Sequence, residues 1–165
     1  MKTYTVEVLD GSTFWYLNDE LHREDGPAIE YANGTRKWFL NGKLHREDGP
    51  AIEFNSGASL WYLNGELHRV DGPAVSHVNG DREWYLNGEL HREDAPAEEF
   101  ANGTKCWYLN GLLHREDGPA VEYANGGARW YLNGEELTEE EFLAKTTNTI
   151  TIDGVTYKLV KVWNE

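Results

Sequence analysis

The chain has 165 residues, of which 13% are aromatic and 27% charged, and its 29 acidic against 15 basic residues give a formal net charge of -14. A field of that sign repels nucleic-acid phosphates and anionic lipid head groups, so the expected partner is a protein with a basic surface, with no nucleic acid and no membrane. One cysteine permits no internal disulfide, no stretch approaches the ~20 apolar residues of a membrane span, and the first residues carry no signal-like apolar run, so a soluble, cytoplasmic protein is expected.

The order in the chain is a 23-residue period. Tryptophan recurs as Trp15, Trp38, Trp61, Trp84, Trp107 and Trp130, and histidine as His22, His45, His68, His91 and His114. A fixed period means one supersecondary unit copied head to tail, whose apolar surface is buried only by stacking on its neighbours. The mean hydropathy of -0.68 fits a thin core of large rings under a polar coat. On this reading the repeated indoles carry much of the burial, at an upper bound of roughly 4–6 kcal/mol each.

The N-terminal segment, about residues 3–9, reads as a strand with nothing to cover its outer edge, where a homodimer could form. Each unit then carries two turn signals. One follows the Trp strand, as in Asn41-Gly42, and the other separates units, as in Asn33-Gly34. Asn-Gly between β-formers is a hairpin signal because a type I′ turn needs positive φ at both central residues, so the array is expected to be an antiparallel meander.

If both turns are two-residue loops, counting outward sets the register. Around Asn33-Gly34, Ile29 then faces Trp38 and Glu30 faces Lys37; the same count sets Val6 on Trp15, Ile52 on Trp61, Val75 on Trp84, Val121 on Trp130 and Glu122 on Arg129. Glu98 opposite Trp107 breaks the pattern. Around Asn41-Gly42, Leu40 faces Lys43, Phe39 faces Leu44 and Trp38 faces His45. One face is thereby expected to hold Trp, His and the β-branched residues, and the other the second aromatic with Leu. The Arg-Glu-Asp-Gly-Pro segment should bend the return strand.

The array is expected to span residues 1–137 and a C-terminal cap residues 138–165. Thr138 with Glu141 makes a capping box, Leu137 with Phe142 has staple spacing, and a helix over about 139–146 follows. Thr149–Ile152, Asp153-Gly154 and Val155–Leu159 read as a final hairpin, with Ile150, Ile152, Val155, Tyr157 and Leu159 on one face.

Trp-x-x-Asn-Gly-x-x-His at this period, over about residues 10–134, resembles the MORN repeat, and most closely a divergent Leu-Asn-Gly-x-Leu-His-Arg-Glu-Asp-Gly-Pro-Ala branch similar to repeats in bacteriophage, giant-virus and bacterial proteins. The resemblance implies an all-β, elongated antiparallel meander of tandem hairpins acting as a scaffold or interaction module. The chain departs from the usual pattern by carrying Arg23, Arg46, Arg69, Arg92 and Arg115 directly after His.

Five copies of His-Arg-x-Asp contain zinc-ligand and general-base groups, but a residue needed by every unit serves what every unit does, so packing of His on Trp and pairing of Arg with acid are expected. The tandem aromatics are read mainly as core. Neither a metal nor a cofactor is expected, and no phosphate loop, nucleophile elbow or CxxC is present to support an enzyme. Departures from consensus concentrate centrally, and they single out Val70, His77, Val78, Glu98, Cys106 and Trp107 as a candidate partner-binding patch. The expected function is a non-catalytic, protein-binding module, in one version a phage-encoded inhibitor of a host defence protein. The alternative is a small-ligand sequestering protein with aromatic and Arg-lined sites between repeats.

Overall fold

A computed structural model describes residues 2–147, 149–152 and 154–158. The chain is almost entirely β, with one helix at Glu139–Thr146. A 14-stranded antiparallel sheet runs through the repeats as a meander, open at both ends. Each internal repeat gives it two short strands. Arg36–Lys37 pairs with Ile29–Glu30 on one side and with Ile52–Glu53 of the next copy on the other. Four lateral hairpins, the first Phe39–Leu40 with Lys43–Leu44, stand beside this ladder. Backbone bonds tie each to the preceding repeat, from Gly42 N–H to the Leu21 carbonyl (2.9 Å) and from Arg23 N–H to the Phe39 carbonyl (3.0 Å).

The two Asn-Gly turns of a unit differ. At 41–42 both residues are left-handed, with φ 50° and 72°, and Phe39 faces Leu44 as the two-residue count requires. His45 N–H donates to the Trp38 carbonyl at 3.1 Å, in keeping with the expected pairing of those two residues. Between units only glycine is left-handed, Gly34 at φ 88°, and Tyr31 N–H closes onto the Thr35 carbonyl at 2.9 Å. That is a three-residue loop ending in a glycine bulge.

The extra loop residue corrects the register by one. Ile29 faces Lys37 and not Trp38, Glu30 faces Arg36, Ile52 faces Leu60, Val75 faces Glu83, Glu98 faces Cys106, Val121 faces Arg129 and Glu122 faces Ala128. Only the first hairpin keeps the expected pairing, Val6 on Trp15, because Asp10 and Gly11 are both left-handed there. A one-residue slip exchanges faces. Val121 accordingly packs with Cys106, Ala120, Tyr131, Tyr108 and Leu113, so the β-branched column sits with the second aromatics and Leu rather than with Trp and His.

The indoles are therefore only half-buried. The core is a column of small and branched side chains in which Ala28, Ala51, Ala74, Ala97 and Ala120 are wholly inaccessible and Ile29, Ile52, Val75 and Val121 nearly so. Each branched residue contributes roughly 1.5–3 kcal/mol relative to exposure. The alanines follow Pro in the Gly-Pro-Ala segment, which is Ala-Pro-Ala at 95–97, and their carbonyls accept the backbone Trp N–H of the same repeat, as in Trp38 to Ala51 at 2.8 Å.

At the C-terminal end the Thr138–Glu141 capping box forms and Phe142, 2% exposed, lies against Trp130 at 4.7 Å between ring centroids. The last hairpin pairs Ile152 with Val155 and Ile150 with Tyr157, while Asp153 and Leu159 lie outside the described residues. Ile152 and Val155 are exposed, so neither adds to the apolar cover that Phe142 provides. At the other end Tyr4–Leu9 pairs, among the described residues, only with Ser12–Leu17, and Val6, Val8 and Leu9 face solvent.

Candidate functional site

The Trp that turns away from the core is covered by its own repeat's arginine. Arg23, Arg46, Arg69, Arg92 and Arg115 lie flat over Trp15, Trp38, Trp61, Trp84 and Trp107, with Cζ 4.0–4.2 Å from the ring centroid. Two of the three guanidinium nitrogens are engaged locally. In the second repeat Nε donates to Asp48 Oδ1 (2.9 Å) and Nη1 to the Pro50 carbonyl (3.3 Å) and Glu53 Oε1 (2.9 Å). The guanidinium holds the Asp48 carboxyl below the usual range, as Arg23 does for Asp25 and Arg69 for Asp71.

Glycine makes room for this stack. A Cβ on Gly49 would lie 2.6 Å from Arg46 Cζ, and those on Gly26, Gly72 and Gly118 2.9–3.0 Å from theirs. The fourth repeat has Ala95 at that place. There Arg92 keeps Trp84, the Pro96 carbonyl and Glu99, but makes no hydrogen bond to Asp94 among the described residues, and its side chain is 32% exposed against 19–23% in the other copies. Ser76 removes the glutamate partner in the third repeat, where Arg69 keeps Trp61 and, among the described residues, hydrogen-bonds only Asp71 and Pro73.

Each histidine clamps the next repeat. His22, His45, His68, His91 and His114 accept through Nδ1 from the backbone N–H of Asn41, Asn64, Asn87, Asn110 and Asn133 at 3.0–3.2 Å. In three copies the same Nδ1 also lies 2.9–3.0 Å from the side-chain Oδ1 of that asparagine, and Nε2 faces Glu47 at 3.7 Å in the second repeat, Glu93 at 4.0 Å and Glu116 at 3.9 Å. His22 is the most buried, sheltered by Tyr4, and its Nε2 has no hydrogen-bond partner.

Successive Arg-Glu-Asp-Gly-Pro arms leave clefts of about 510–670 Å³ between them. Each has Trp, Leu and His on its floor and arms on both sides, as in Trp38, Leu40 and His45 between the Arg23 and Arg46 arms. On the second arm Arg46 meets Asp48 and Glu53 while Glu47 faces His45, so two negative charges are in excess, whereas on the third, which carries Val70 and Ser76, Arg69 meets Asp71 and the charges balance. Glu47, Glu93 and Glu116 have no Lys or Arg partner among the described residues and are 78–83% exposed.

The six residues of the sequence-based patch fall in different places. Val70, 83% exposed, lies on the arm shared by the two central clefts, and Trp107 lines the last one. Val78 is exposed beside an inter-repeat turn. His77, Glu98 and Cys106 do come together, through a residue that the sequence reading passed over. Glu83 faces Glu98 across the ladder, Glu98 faces Cys106, and His77 Nε2 lies 3.0 Å from Glu83 Oε1. Tyr85 donates its hydroxyl to Glu83 at 2.9 Å. Burial and the facing Glu83 raise the Glu98 pKa, while burial and Glu98 push Cys106 up to about 11 and Tyr108 to about 12. A thiol held protonated in this way is a poor nucleophile. Counting three residues in the inter-unit turns pairs Val75 with Glu83 and Glu98 with Cys106, but the Glu83–Glu98 pair closes across the lateral hairpin and arm and no turn count reaches it.

Among the described residues no group of three or more His, Cys, Asp or Glu is placed to hold a metal, and no helix is long and apolar enough to cross a membrane. Fold and site together define a repeat protein built of tandem antiparallel β-hairpins at a 23-residue spacing. No protein-family model matches the chain, and no curated protein matches it significantly.

Proposed function

We propose that this chain is a MORN-like array acting as a non-catalytic binding module, in the cytoplasm, for a protein with a basic surface. The carrying observation is the recurrence of exposed glutamates on the rims of the clefts, at Glu47, Glu93 and Glu116, with no Lys or Arg partner among the described residues. Steering by such a field raises association rates and selects cationic partners. One version is a phage-encoded inhibitor that covers the nucleic-acid-binding surface of a host defence protein. The test is capture from a bacterial lysate with wild-type protein and with the Glu47→Gln, Glu93→Gln, Glu116→Gln variant. A basic protein retained by the first and lost from the second is expected, and retention of the same proteins by both would sink the reading.

A small-ligand role is favoured by the clefts themselves, whose volumes suit a metabolite. Against it, Nε and Nη1 of Arg46 are already committed to Asp48, Pro50 and Glu53, and one indole face is covered by the guanidinium. A thermal shift above two degrees with any member of a nucleotide and metabolite panel would revive it.

A further inference from the structure

The clefts fix what kind of basic segment they take. Each repeat adds two ladder strands, so equivalent arms recur every ~9.6 Å. A polyproline II segment repeats every three residues, or ~9.3 Å, and returns a side chain to the same face each time. An extended strand returns one every ~6.7 Å, out of step, and seven residues of α-helix cover ~10.5 Å.

Besides Ala95, which stands for glycine on the fourth, these arms differ in one position. The second and fourth present Glu47 and Glu93, and the third, between them, presents Val70. Val70 is the most exposed large apolar side chain among the described residues, at the junction of two clefts floored by Trp61 with Leu63 and by Trp84 with Leu86. Charge complementarity therefore asks for a cation, then an apolar group, then a cation, each one repeat apart. Arg46 and Arg92 do not oppose this, since Arg46 is neutralised by Asp48 and Glu53 and Arg92 by Glu99.

Resting on the basic-partner reading above, we infer that the central clefts bind a polyproline II segment of the form Arg-x-x-Leu-x-x-Arg, with the arginines at Glu47 and Glu93 and the apolar side chain on Val70. The glutamates accept from guanidinium groups at the rim, and the leucine covers Val70 and the adjoining cleft walls.

The test uses labelled Arg-Pro-Pro-Leu-Pro-Pro-Arg against the full chain, read by fluorescence anisotropy, with Arg-Pro-Leu-Pro-Arg-Pro-Pro as the same composition out of phase. At least tenfold tighter binding of the phased peptide is expected. Val70→Glu restores the residue of the other arms and should reverse the preference, so that Arg-Pro-Pro-Arg-Pro-Pro-Arg binds tighter than the leucine peptide. Glu47→Gln with Glu93→Gln should weaken the phased peptide at least tenfold, whereas Glu139→Gln with Glu140→Gln, which removes equal charge from the helix, should not. Equal affinity for both spacings, or no change of preference in Val70→Glu, overturns the inference. So does absence of binding by either peptide. Salt-sensitive binding of polylysine alongside that failure would leave the basic-partner reading standing, and its absence would remove both.

Discussion

Arg46 shows how much one side chain does in each copy. It covers an indole, pairs with Asp48 and Glu53 and reaches the Pro50 carbonyl, tying the bent arm to the ladder. Arg46→Ala uncovers the ring and leaves two carboxylates without their cation, at about 1–2 kcal/mol. Arg46→Lys should recover less than half, because an ammonium cannot stack and fork at once. Urea midpoints at constant m decide this. Glu98 is the opposite case, a carboxylate facing Glu83 where other repeats place Ile52, Val75 or Val121. Its folded pKa is raised, so it does no harm below the ordinary glutamate range and destabilises the fold as pH rises through that range, up to the raised value. Glu98→Ile should therefore stabilise by about 1 kcal/mol at pH 8 and by less at pH 4. An equal gain at both values would contradict the account. The arginine-paired Asp25, Asp48 and Asp71 titrate in the opposite sense, adding stability at neutral pH that is lost as acid protonates them.

At the level of the elements, two turns with nearly the same sequence divide the work. The 41–42 type folds a lateral hairpin with both residues left-handed, and the inter-unit type needs only its glycine. The loop between the second and third repeats carries Ser56, while the first residue of every lateral turn is Asn. Serine is tolerated where φ stays negative. Asn41→Val should cost about 1–2 kcal/mol, the penalty of a branched residue held left-handed. Ser56→Val should be close to neutral, because its backbone is ordinary and its side chain makes no hydrogen bond among the described residues. Equal losses in thermal unfolding would mean that the two loops do not differ as described. The helix sets Phe142 against the last indole, Trp130, whose repeat has Thr138 where the others place the covering arginine.

For the whole molecule, every inter-repeat bond joins residues at a fixed offset, so units are exchangeable in register. Removing residues 62–84, one full period, joins Trp61 to Tyr85 and restores the same neighbours. The shortened chain should fold cooperatively with an unchanged far-ultraviolet spectrum, and its urea m-value should fall by about one seventh with the area buried. Removing residues 62–73, half a period, brings unlike strands together and should abolish folding. A half-period deletion as stable as the full one would show that stacking of like on like is not what holds the chain.

The period, the all-β class, the lateral turns and the capped helix could be read from local residue order, because Asn-Gly geometry and the capping box act over a few neighbours. The candidate site was legible only in part. Val70 and Glu98 stood out by departing from the copies, but the arm clefts and the role of Gly49 did not, since they depend on a guanidinium folding back over a ring from eight residues away. Which face receives the indoles was decided by tertiary structure. A single loop residue between units sets it, and sequence spacing cannot distinguish a two-residue turn from a three-residue loop until the strands have paired and the β-branched column has found the second aromatics.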